Sequence, residues 1–243
     1  MDKDIQKKFA IINEVETSIN LLYYGLREIQ QINGANDFYH VAFLLLSSGF
    51  ERLMKTIICF HHIKIHKEYP KKNIFPKGRK GHDLMLLLNL ITTACFKKEY
   101  LKRPAAKEDL EYLKNDEQLH RFVKILSDFG QSARYHNLDV IIENESTTVS
   151  PEEQWQRMEL EILKDIKDWD QKIMNPESMN KIFDNIIETI VIQFEKFARA
   201  LCRLFTMGDL GEEASKNIGF ITHFLFLSDS DLGNTVYLEK CYK

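Results

Sequence analysis

Between the Asn175-Pro176 break and Met207, the residues Phe183, Ile186, Ile187, Ile190, Phe194, Phe197, Leu201 and Phe205 keep a helical period with no glycine or proline among them. Such spacing holds the side chains on one face of an α-helix for about eight turns. A rod of that length with one apolar face has to be buried, so much of the chain must be built to cover it. A similar stripe starts at Ile5 and runs through Phe9, Ile12, Val15, Ile19, Leu22, Leu26 and Ile29. After NGAND, where Asn36 or Asp37 is the expected N-cap, the stretch FYHVAFLLLSSGFERLMKTIICF is apolar on almost every face and belongs in the middle of a bundle. Ten glycines and five prolines in 243 residues are few, a scarcity that favours long helices.

His66 to Lys80, with Pro70, Pro76 and Gly78 among its lysines, reads as a solvated loop. GHDLMLLLNLI resumes a compact helix, with His82 or Asp83 near its start. Arg103-Pro104 opens a further helix through Leu110, Leu113, Leu119, Phe122, Val123 and Leu126, which ends at FGQSARYH. Ser150 and Glu153 stand in the N-cap and capping-box positions of an acidic helix with the stripe Trp155, Met158, Ile162, Ile166, Trp169 and Ile173. Beyond Gly208, IGFITHFLFL reads as a short helix or a strand, and TVYLEKCY as an extended piece. The expected fold is all-α, an up-and-down helical bundle over 1–207 with a possible inserted acidic helix at 143–175 and a C-terminal appendage at 208–243.

A formal net charge of -3 argues against a broadly basic nucleic-acid coat. The charge is unevenly spread, however: Lys64, Lys67, Lys71, Lys72, Lys77, Arg79 and Lys80 face a lone Glu68, whereas Glu143 to Asp170 is rich in carboxylates. Cys59, Cys95, Cys202 and Cys241 form no C-x-x-C pair and suggest neither a zinc ribbon nor a disulfide framework. The first residues carry scattered charges rather than a secretory pattern, and no apolar run reaches membrane-span length. A cytoplasmic protein without membrane attachment is expected. His62 and His66 are spaced to share a metal, but no nearby carboxylate or thiol completes a ligand set, so no metal and no cofactor are expected. Nothing resembles a P-loop, a dinucleotide glycine motif, a nucleophile elbow or an H-E-x-x-H helix.

Three pieces in order resemble the HEPN superfamily, a helical-bundle group found in nucleotidyltransferase accessory proteins, toxins and phage-defence ribonucleases. They are SGFERLMKTII on the second helix, GHDLMLLL, and ARYHNLD ahead of the final helices. The long helix from Asn180 to Phe205 also fits, and the likeness spans Ile5 to Thr206. The resemblance implies a homodimer acting as an RNA- or nucleotide-binding component of a defence, toxin or stress system, with a cognate nucleotidyltransferase or antitoxin as a possible partner. Two alternatives stand beside it: a metal-independent ribonuclease acting as a homodimer, and a non-catalytic protein-interaction module.

The family's ribonucleases place a histidine four to six residues after an arginine. Arg134 matches that arginine, but Leu138, Asp139 and Val140 occupy the histidine positions and His136 lies only two residues on. In the enzyme reading Arg134 stabilises phosphorane charge, His136 transfers a proton and Tyr135 stacks on a base or orients a phosphate. In the structural alternative Arg134 pairs with a carboxylate such as Glu51, Tyr135 packs at the bundle edge and His136 caps a carbonyl. Glu51 and Lys55, one turn apart on a largely apolar helix, need partners such as Arg134 or His82, and His82 and Asp83 open the next helix. Lys71, Lys72, Arg79 and Lys80 are candidates for phosphate contact, with Tyr69 and Phe75 available to stack on bases.

Overall fold

A computed structural model of the chain describes residues 3–33, 36–71, 74–131, 135–142, 150–167, 169–172 and 176–238. The described residues are all-α, forming helices joined by turns with only two isolated backbone bridges. The helices are α1 (Lys3–Ile29), α2 (His40–His66), α3 (Leu84–Ala94), α4 (Pro104–Asn115), α5 (Glu117–Gln131), α6 (His136–Ile141), α7 (Pro151–Asp165), α8 (Trp169–Lys172), α9 (Pro176–Met207), α10 (Glu212–Ser215) and α11 (Ile218–Leu225). No helix among the described residues is long and apolar enough to cross a membrane.

Helices α1 and α2 form the framework, and two glycines set how closely they pack. A Cβ on Gly25 would stand 2.7 Å from Leu46 Cδ2, and one on Gly49 would stand 2.9 Å from Leu22 Cδ2. Each glycine therefore receives a leucine of the other helix. Position 22 meets 49 and 25 meets 46, so the two helices run antiparallel. Helices α3 and α5 cover α2 on one side, while α9 crosses both α1 and α2. Its stripe enters the core at Phe194 and Phe197: the Phe197 ring stacks on Phe50 at 4.4 Å, and Phe194 meets Phe122 edge-on at 5.2 Å.

Several helix ends differ from the sequence expectation. Neither Asn36 nor Asp37 caps α2, which begins after Tyr39 without a side-chain cap; the Asn36 side chain instead accepts the Phe38 N–H, closing the preceding turn. The helix expected from Arg103-Pro104 is two helices, because Asp116 ends α4 and its carboxylate accepts the Leu119 N–H at 2.7 Å, capping α5. Apolar spacing alone ran through this break. At Ser150 the expected capping box does not form, although α7 starts there on Pro151. IGFITHFLFL supplies the helix α11. The TVYLEKCY stretch forms no strand where it is described: Tyr237 and Leu238 lie in a turn, and Tyr237 is fully buried.

Helix α7 packs against α5 and α9. Trp155 enters the core beside Phe43, with ring centroids 5.2 Å apart. Glu159, on the same helix, lines a cavity of about 320 Å³ with Leu163, Ile182 and Ile186. Burial pushes its carboxyl up to about 7 from the ordinary 4.5, against the pull of a hydrogen bond with Trp155. The folded protein thus holds a proton there that the unfolded chain has already released, and stability falls as pH rises from about 5 to 7. Glu159→Gln is expected to flatten that slope and to stabilise the protein at pH 7.5 by about 1 kcal/mol, discounted for partial solvent access. Urea unfolding at pH 5 and 7.5 measures it, and an unchanged slope in the variant would refute the assignment.

Candidate functional site

On one side of the α1–α2 pair, polar positions of both helices face each other across a groove of about 830 Å³. Helix α1 contributes Lys7, Ile11 and Glu14, and α2 contributes Ser48, Glu51, Arg52, Lys55 and Cys59. Each set follows the helical period, so each forms one stripe. The loop after α2 brings Tyr69, Pro70 and Phe75 over the groove, and His82, Gly130 and Gln131 complete the lining.

Local chemistry in GHDL explains how His82 reaches this place. Gly81 is buried, and a Cβ there would stand 2.6 Å from the Pro76 carbonyl oxygen, so only glycine lets the loop fold back onto the 3₁₀ turn Gly78–His82. Asp83 then caps α3, its carboxylate accepting the Met85 and Leu86 N–H groups at 3.0 and 3.1 Å. The Ser127 hydroxyl accepts the Leu84 N–H at 3.0 Å and the Gln131 amide at 2.9 Å, which ties the start of α3 to the end of α5. Between a fixed glycine and a fixed cap, the His82 side chain lies beside α2.

Glu51 is the hub of the groove. Its Oε1 accepts Lys55 Nζ at 2.6 Å, while His82 Nδ1 lies 3.0 and 3.1 Å from its two oxygens. The Glu51 and Lys55 side chains are only 20% and 23% exposed, so their pairing is more enclosed than a surface ion pair. Lys55 Nζ also lies 5.4 Å from the Phe75 ring centroid, and Lys7 Nζ lies 5.7 Å from that of Tyr69. Arg52 donates to both oxygens of Glu14, at 2.9 and 2.7 Å, with both side chains nearly half exposed. A pair so open to water contributes at most about 1 kcal/mol, little enough for an incoming anion to displace the carboxylate. Cys59 is no nucleophile here, because burial and the Glu14 charge push its thiol up to about 11.

The residues expected from the sequence are divided by this geometry. Glu51, Lys55 and His82 converge, and Tyr69 and Phe75 join them. Asp83 does not, since its carboxylate is committed to the α3 cap. Lys71 is exposed and paired with Glu68 at 2.6 Å, and Lys80 is exposed outside the groove lining. Arg79 belongs to the 3₁₀ turn. Lys72 and Arg134 lie outside the described residues. Tyr135 is exposed and His136 begins α6.

Elsewhere on the basic stretch, His61 Nδ1 donates to the Asp209 carbonyl at 2.9 Å and Lys64 bonds the Asp209 carboxylate at 2.8 Å, which ties α2 to the chain after α9. His62 and His66 lie ring to ring at 4.3 Å, and no group of three or more His, Cys, Asp or Glu among the described residues could hold a metal. Nothing in the sequence sets Lys7, Glu14 and Arg52 apart from other polar helix positions. They belong to a polar stripe beside an apolar one, a feature of every amphipathic helix. No family model, curated protein or solved structure matches the chain.

Proposed function

We propose that the chain is a HEPN-like RNA- or nucleotide-binding component of a defence, toxin or stress system, with its ligand in the α1–α2 groove. One observation carries this reading: Lys7, Arg52, Lys55 and His82 meet the rings of Tyr69 and Phe75 in a single cleft. Three cations face two carboxylates there, and the rings offer stacking surfaces beside them. That combination suits a phosphate joined to a base. A groove of about 830 Å³ also falls in the range of small-molecule sites, large enough for a nucleotide or a short single-stranded piece. Two of the three HEPN-like pieces meet at this point, SGFERLMKTII through Glu51 and GHDLMLLL through His82. Homodimerisation and a nucleotidyltransferase or antitoxin partner belong to the same proposal.

A ribonuclease using Arg134 and His136 is the second reading, favoured by one feature. Gln131 lines the groove and Tyr135 follows four residues later, so chain length alone keeps their Cα atoms within about 14 Å.

Both readings are tested by incubating labelled single-stranded RNA with the purified protein at increasing salt. Retention should weaken with salt, and the Arg52→Ala/Lys55→Ala double variant should bind at least about tenfold more weakly, with a log–log salt slope shallower by about 1.4 if two phosphate contacts are lost. Lys71→Ala/Lys80→Ala, outside the groove, should change binding less. Cleavage abolished by both Arg134→Ala and His136→Ala would select the enzyme. Absence of salt-dependent retention would sink the binding proposal.

A further inference from the structure

We infer that His82 selects ribose over deoxyribose, by accepting a hydrogen bond from a 2′-hydroxyl through Nε2. The inference rests on the nucleotide-binding reading of the groove and specifies which sugar the groove takes. It begins with Glu51. An ionised carboxylate can only accept hydrogen bonds. It already accepts one from the Lys55 ammonium at 2.6 Å, and both of its oxygens lie within 3.1 Å of His82 Nδ1. The imidazole must therefore carry its proton on Nδ1, the geometry by which a carboxylate fixes a histidine tautomer. In the neutral ring this leaves Nε2 with a lone pair and no hydrogen.

The consequence is a restriction on what the ring can meet. A phosphate oxygen is itself an acceptor and gains nothing from such a nitrogen, whereas a hydroxyl or amino group does. His82 lines the groove and its side chain is 54% exposed, so the ring edge is open to a ligand. Phosphate falls instead to Arg52 and Lys55, the cations on the same groove wall. The donor that ribonucleotides place next to a phosphate, and deoxyribonucleotides lack, is the 2′-hydroxyl. Glu51 thus sorts the groove into two parts: cations for the phosphate and a tautomer-locked acceptor for the sugar. Gly81 and the Asp83 cap keep that acceptor in place, since the residues on either side of His82 are both constrained.

The test compares two single strands that differ only in the sugar, ten-residue oligoadenylate and its deoxy counterpart, bound to the intact protein at fixed salt and mildly alkaline pH. The wild type should bind the ribose strand about tenfold more tightly, the scale of one net hydrogen bond. His82→Ala should bring that ratio to about one, and His82→Gln, whose side-chain carbonyl is again an acceptor, should restore part of it. Circular dichroism checks that the variants fold. Nitrogen-15 shifts of the His82 ring in the wild type should report the Nδ1–H tautomer, a readout that packing alone does not set. Equal binding of both strands by the wild type would overturn the inference and leave the nucleotide-binding proposal standing, whereas no binding of either strand would remove both. A preference that survives in His82→Ala, or an Nε2–H tautomer, would also overturn it.

Discussion

Phe197→Ala is expected to lower the free energy of unfolding by about 4 kcal/mol, a large share of the 5–15 kcal/mol typical of a folded domain. Phe197 is completely buried at the crossing of α9 and α2, where its ring stacks on Phe50 at 4.4 Å and 25°. The substitution removes the transfer free energy of the ring and leaves a cavity between two long helices held apart by their other contacts. It also removes an aromatic pair, which adds roughly 1 kcal/mol beyond area burial. Phe226, 71% exposed after α11, serves as the control; its alanine variant should change stability by less than about 0.5 kcal/mol. Denaturant unfolding of the two variants measures both effects. A Phe197→Ala loss below 2 kcal/mol would mean that the crossing collapses around the vacancy or does not pack as described.

Glu195→Ala should cost about 3 kcal/mol through a different mechanism. This carboxylate is fully buried on α9, and the chain after α11 is tied down on it. Its oxygens accept the Tyr237 hydroxyl at 2.8 Å and the Gly233 N–H at 2.6 Å, while Arg199, one turn further along, donates to the Leu227 carbonyl and to Asp229. From the turn after α1, Gln30 completes the attachment by donating to the Thr235 carbonyl and accepting the Tyr237 N–H. Burial holds the Glu195 carboxyl above the ordinary carboxylate range, against the pull of these hydrogen bonds and the Arg199 charge. Removing it takes the acceptor from the buried Tyr237 hydroxyl and from the part-buried Gly233 N–H, and a buried donor left without its partner costs about 1–3 kcal/mol. Glu195→Gln keeps one acceptor and should lose about half as much. Urea unfolding gives the energies, and limited proteolysis should show new cleavage between residues 228 and 238 in Glu195→Ala. Unaltered proteolysis together with a loss under 1 kcal/mol would contradict this account.

Local pattern made the helices legible. The stripes of α1, α2 and α9 depend only on a 3.6-residue repeat, which a chain carries whatever it packs against. Asp83 could likewise be read near the start of α3, because a cap and the N–H groups it serves lie within three residues. Asp116 shows how far this reaches: its cap divides α4 from α5, yet the apolar spacing continues across it, so periodicity overstated one helix. Tyr237 marks another limit. Nothing in TVYLEKCY announces that its phenol is buried on a carboxylate 42 residues earlier in the chain.

By itself, then, the sequence determined the all-α class, the lengths of the main helices and the polar residues available to a groove. Tertiary structure alone decided which of those residues meet. Glu51 and His82 are 31 residues apart, and they touch because Gly81 admits the Pro76 carbonyl while Asp83 anchors the next helix. Glu14 reaches Arg52 because Gly25 and Gly49 let α1 and α2 pack in one antiparallel register. The repeat that makes a helix is a property of neighbouring residues, whereas the facing of two helices depends on close approaches between residues far apart, and no local spacing encodes those.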